Sequence, residues 1–165
     1  MRTTFRFLLL TLIACTILSA APEAQAEQTG REAEHNRKGL EYFKEGFYQK
    51  LPKGQQREAD RAFDLATAEF QNAIALKPDF VEAHRNLARL YYVRRQLSRA
   101  AESYRNVISL APRDIDAHVQ LALAYVELER FDEAVHQLEL ARTQTDDREA
   151  IRKLDGYIQK IRERK

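Results

Sequence analysis

Cysteine, methionine and tryptophan are almost missing from this chain: among 165 residues there is one Cys, one Met and no Trp. A single thiol cannot close an intramolecular disulfide or build a Cys-rich metal site. Glycine (5) and proline (4) are scarce too, which excludes low-complexity linkers and Gly-rich phosphate loops. Charge of either sign is not in excess: 27 Lys and Arg face 25 Asp and Glu, a net +2. No basic run is long enough to read as a nucleic-acid footprint, and the short cluster Arg94, Arg95, Arg99 reads as a solvated turn. What remains is a chain rich in Ala, Leu, Glu and Arg, of a length that suits one domain and a composition that favours helices over sheets.

The first residues are of another kind. Arg2 and Arg6 precede an apolar stretch from Phe7 to Leu18, and small residues follow, ending in Ala24-Gln25-Ala26. That order is a secretory signal: basic start, apolar middle, small residues at the peptidase site. The apolar stretch is shorter than the roughly 20 residues of a spanning helix. Cleavage after Ala26 and an exported, periplasmic protein are expected, with the mature chain then free of cysteine. A competing reading takes Leu12-Ile13-Ala14-Cys15 as a lipobox, with Cys15 lipidated and the protein held as a membrane-anchored lipoprotein. Apolar residues continue past Cys15, where a lipoprotein usually turns polar. An uncleaved anchor is the third reading.

A repeat dominates the rest. "EAHRNLARLYY" from Glu82 is followed 34 residues later by "DAHVQLALAYV" from Asp116. His84 pairs with His118, Leu87 with Leu121, Ala88 with Ala122 and Tyr91 with Tyr125; Ala66, Phe70, Ala73 and Pro78 stand 34 before Ala100, Tyr104, Val107 and Pro112. Within each unit apolar residues fall three and four apart, so each unit is a pair of helices around a short turn. Asp79 and Asp114 are expected to cap the second and third units, after Pro78 and Pro112 end the preceding helices. The unit resembles a tetratricopeptide repeat (TPR): a bulky residue, Leu, a small residue and Tyr on its first helix, then Ala, an aromatic, Ala and a closing Pro on its second.

The resemblance covers about Glu32 to Arg148 and implies an all-α solenoid of three helix-turn-helix units plus a C-terminal capping helix. Boundaries follow: signal 1–26, linker 27–31, first unit 32–80 with an insertion near 49–63, second unit 81–114, third unit 115–148 and capping helix 147–163. The insertion is expected to lengthen the second helix of unit one, from Gln55 to Leu76, and the loop before it. The capping helix carries Ile151, Leu154, Ile158 and Ile161 on one stripe, with Asp146 and Glu149 as its cap. Small residues at Gly39, Ala88 and Ala122, facing Ala66, Ala100 and Ala134, let paired helices approach closely; enlarging one should cost roughly 1–3 kcal/mol.

Candidate chemistry is sparse. His35, His84 and His118 hold one place in three units, but packed helices lie about 8–10 Å apart, too far for one ion to take all three. They read as bulky packing residues, and His136 as a lone surface histidine. No nucleophile-base pattern or metal motif is visible, so neither an enzyme nor a cofactor is expected. What the resemblance does imply is a concave groove lined by the first helices: Asn36, Leu40, Phe43 and Lys44 from unit one, Arg85, Arg89, Tyr92 and Val93 from unit two, and Val119, Leu123, Val126 and Glu127 from unit three. Such grooves receive an extended or helical segment of another protein. The cationic centre suits a segment with apolar anchors and a carboxylate. The carboxylate clamp of chaperone-binding TPR domains is missing: Asn36, Leu40, Asn86, Asp116 and Gln120 stand at its positions, and only Asn86 agrees. The expectation is an adaptor or assembly factor of the cell envelope with no nucleic-acid partner. The alternative is an anchored, pilotin-like assembly subunit. Membrane contact comes only through the signal or a lipid anchor. Oligomeric state stays open, since a poorly fitting capping helix would permit end-to-end stacking.

Overall fold

Every element that the sequence periodicity predicts is helical in the computed structural model, which describes residues 30–164. The signal segment, its Ala26 site and Cys15 lie outside the described residues. Seven α-helices and no strand occur among the described residues: α1 (Arg31–Lys44), α2 (Gln56–Leu76), α3 (Val81–Val93), α4 (Leu97–Leu110), α5 (Ile115–Glu127), α6 (Phe131–Thr143) and α7 (Arg148–Arg162). They pack in sequence order, α1 on α2, α3 on α4 and α5 on α6, with each hairpin resting on the next and α7 closing the row against α6. No helix is long and apolar enough to cross a membrane among the described residues.

The repeat becomes a set of buried columns. Phe70, Tyr104 and Leu138, each 34 apart on the second helices, are no more than 2 % exposed. Ala66, Ala100 and Ala134 are fully buried, and Gly39, Ala88 and Ala122 of the first helices are buried too. The fit is tight enough to name: a Cβ added to Gly39 would lie 2.6 Å from the Phe70 ring, inside van der Waals contact. At Gly39 a small residue is therefore required by ring-on-backbone packing between hairpin partners.

The first hairpin is longer than the others, but not as the sequence led one to expect. Beyond Lys44 the helical path of α1 continues through a π-helical turn, Glu45–Lys50, and a 3₁₀ turn, Leu51–Lys53. Gly54, in the left-handed region at φ +70°, then reverses the chain into the 21-residue α2. The insertion thus lengthens both helices. The reason is a local aromatic core: Phe43 stacks on Phe47 with ring centres 5.7 Å apart, and Phe43 also packs on Phe63 of α2 at 6.1 Å. Gly46 lets that ring in, since a Cβ there would come within 2.7 Å of Phe63.

Two caps differ from expectation. Asp114 caps α5 as predicted, its carboxylate accepting from the Ala117 N–H at 3.0 Å. Asp79 does not cap α3; the N-cap is Phe80, with no side-chain hydrogen bond, because Phe80 and not Asp79 is the residue 34 before Asp114. At α7 the cap is Asp147, which accepts from the Glu149 N–H at 2.9 Å, one residue later than the predicted Asp146. Leu154, Ile158 and Ile161 of α7 are buried and Ile151 is partly so.

Candidate functional site: the inner face of the first helices

The first helices α1, α3 and α5 stand side by side, and interactions between them set the groove residues in place. Asn86 of α3 donates its amide to the Asn36 side-chain oxygen of α1 at 2.9 Å. Arg85 makes a short ion pair with Asp114, so one carboxylate both caps α5 and receives the guanidinium of the preceding unit. The Arg85 Nε is left buried with no hydrogen-bond partner among the described residues. At the far end of α3, Arg95 meets Glu127 of α5 at 2.8 Å. Asn36, Arg85 and Glu127 are therefore partly spent on holding successive units in register.

Phe43 requires a correction. It is buried at 8 % exposure inside the Phe43–Phe47–Phe63 cluster and lines no groove, because the lengthened hairpin supplies rings that draw it inward. Leu40, Tyr92, Val93, Val119 and Val126 pack against the core with one side and stay partly exposed with the other. Lys44, Arg89, Leu123 and Glu127 are exposed.

On the first helix of the middle unit, Arg85 is paired with Asp114 while Arg89 is exposed and makes no ion pair among the described residues. Its electrostatic neighbour is the Tyr104 phenol, which burial pushes well above its ordinary range while Arg89 pulls it the other way. The Tyr92 hydroxyl is also raised, by burial first and by Glu127 second. Both phenols thus stay protonated at neutral pH. Tyr104 is closed off in the core, so Arg89 and the part-exposed Tyr92 are the groups that can meet an acceptor oxygen from outside. Tyr104 lies on a second helix, and its place 34 after Phe70 marks it as core, where the structure puts it.

Two of the histidines, His84 and His118, are accounted for by loop packing. Among the described residues, no group of three or more His, Cys, Asp and Glu is placed to hold a metal ion. His84 donates from Nε2 to the Pro78 carbonyl at 2.9 Å, and His118 does the same to Pro112 at 3.1 Å. A carbonyl can only accept, so the ring nitrogen carries the proton. His35 has no such proline before it and pairs instead with Glu69 at 2.6 Å. His136 is exposed.

At the C-terminal end the inner face deepens into a cleft of about 210 Å³ between α5 and α7. Val119, Leu123 and Val126 form one wall, Tyr157 and Ile161 the other, with Ala122 and Leu138 below and Lys160 and Arg164 at the rim. Three predicted groove residues meet here. The α7 contribution was missed, although a signal existed: Tyr157, Lys160 and Ile161 stand 34 after Leu123, Val126 and Glu127. The helix that closes the stack continues the lining as well.

Comparison with known proteins agrees with this architecture. The chain resembles the TPR2B domain of yeast Sti1 in its pHsp70 complex, with a TM-score of 0.63, 17% identity, and coverage of 82% of this chain and 98% of that one. It resembles the Arabidopsis OM64 TPR domain (0.60, 15%, covering 81% and 98%). It also resembles SycD, a type III secretion translocator chaperone of Yersinia enterocolitica (0.58, 16%, covering 76% and 83%). At such identities the likeness is one of fold. No curated protein sequence matches. Two family models described as tetratricopeptide repeat match residues 53–115 and 94–155. Together they span 53–155, well over half of the chain, and the protein belongs to the tetratricopeptide-repeat family.

Proposed function

We propose that this protein is a non-catalytic adaptor or assembly factor of the cell envelope, which holds a segment of another protein against the inner face of its first helices. The observation that carries the reading is Arg89: an exposed guanidinium on the first helix of the middle unit, near the Tyr104 phenol and without an acidic partner among the described residues. A guanidinium left without an acidic partner on this face is available to a ligand, and carboxylate is the group it grips best. Similar folds serve protein binding: the yeast Sti1 domain is seen with pHsp70 and SycD is a chaperone of translocators. The mode differs from a five-residue carboxylate clamp. Asn86, the one clamp position that agrees here, is already bonded to Asn36, and Asp116 would repel a terminal carboxylate.

The envelope location rests on the signal-like residues 1–26, with Glu27 as the mature N-terminus. Intact mass of the protein isolated from its host separates cleavage after Ala26 from lipidated Cys15 and from retained Met1. Binding is tested by affinity purification of the tagged protein from its host, wild type against Arg89→Glu. A charge-assisted hydrogen bond is worth about 1.5–3 kcal/mol, so recovery of the specific partner should fall at least about tenfold. Equal recovery with both proteins would contradict the reading.

A further inference from the structure

The α5–α7 cleft differs in character from the face around Arg89. Its walls are apolar, and two exposed large apolar side chains among the described residues, Leu123 at 42 % and Tyr157 at 49 %, line it from α5 and α7. Lys160 and Arg164 edge it and have no acidic partner among the described residues, whereas Lys153 and Arg162 of the same helical segment are paired with Glu149 and Glu139. An apolar cavity of about 150 Å³ accommodates benzene, so about 210 Å³ admits one large aliphatic or aromatic side chain.

We infer that this cleft is an anchor pocket for a partner polypeptide segment in which one large apolar residue is followed or preceded, within about one helical turn, by Asp or Glu. The apolar side chain enters between Leu123 and Tyr157, and the carboxylate meets Lys160 and Arg164. This rests on the inner face being a peptide-binding surface and adds the sequence character of the peptide. Charge selects the occupant. The chain's own apolar segment, Phe7 to Leu18, is preceded by Arg2 and Arg6 and has no acid before Glu23, so it would bring cations to a cationic rim. A foreign acidic-apolar segment satisfies both the walls and the rim.

The test is selection from a random twelve-residue peptide library against the protein as its host processes it, followed by affinity measurement on the selected peptides. Variants are Leu123→Trp, which fills the cleft from an exposed position, the surface pair Lys160→Glu with Arg164→Glu, and Arg89→Glu; circular dichroism confirms that each is folded. Selected peptides should carry a large apolar residue near Asp or Glu. They should bind at least tenfold more weakly to Leu123→Trp and to the Lys160/Arg164 pair. Peptides weakened by Arg89→Glu but indifferent to the cleft variants would overturn the anchor pocket and leave the groove reading standing. Binding indifferent to all three variants, or no selected peptide, would remove the groove reading and this inference together. Self-association that Leu123→Trp alone abolishes would make a second copy the occupant and overturn the proposal.

Discussion

Gly39 and Gly156 occupy one position of the repeat, the small-residue place also held by Ala88 and Ala122, yet their surroundings are opposite. A Cβ at Gly39 meets the fully buried Phe70 ring at 2.6 Å; a Cβ at Gly156 meets nothing within 4 Å. Replacing helical Gly by Ala gains about 1 kcal/mol of propensity, while overpacking costs about 1–3 kcal/mol. Gly39→Ala should therefore be neutral to destabilising by up to about 2 kcal/mol, and Gly156→Ala stabilising by up to about 1 kcal/mol, as read from urea unfolding of the two variants. The small residue was legible from the repeat; its neighbour was not, because in α7 no second helix follows among the described residues. Phe43 shows the same limit. Its spacing places it beside the groove positions, but only the Phe47 and Phe63 rings decide which way it turns.

At the scale of elements, α7 explains how the stack ends. Leu121 and Tyr125 of α5 bury against the neighbouring helices; 34 residues on, α7 has Asp155 and Gln159, both exposed. A first-helix pattern has thus kept its inward stripe and lost the apolar face a further helix would need. Leu154, Ile158 and Ile161 hold the helix to the rest. Leu154→Ala removes a side chain that is 4 % exposed and should cost roughly 2–5 kcal/mol in urea unfolding. A smaller cost would mean that α7 is only loosely docked. The stripe was plain from 3.6-residue periodicity, and the helix boundaries followed. Caps were less secure: one residue of register separates Asp146 from Asp147, and periodicity does not resolve so small a shift. The shared lengthening of the first hairpin was beyond sequence reading, since it depends on contacts between residues of α1 and α2 that meet only once the hairpin closes.

For the whole molecule, the 34-residue repeat was enough to predict hairpins, their order and their stacking, because each unit must bury the same face against its neighbours. The proposed function rests on residues that break the pattern, and these were legible only in part. Arg85 and Arg89 look alike in sequence, four apart on one helix. In the fold Arg85 is committed to Asp114 while Arg89 is not. The cleft joins Leu123 to Tyr157 across two helices, which a search confined to three units does not bring together.

Binding of a segment of another protein on the inner face, as proposed, requires that segment to lie within reach of Arg89. Site-specific photocrosslinking in the native host tests it most directly, with one probe replacing Arg89 on the inner face and another replacing the exposed Glu102 of α4. A discrete adduct from Arg89 and none from Glu102 is the predicted result. Capture from Glu102 alone, or from neither position, would contradict it.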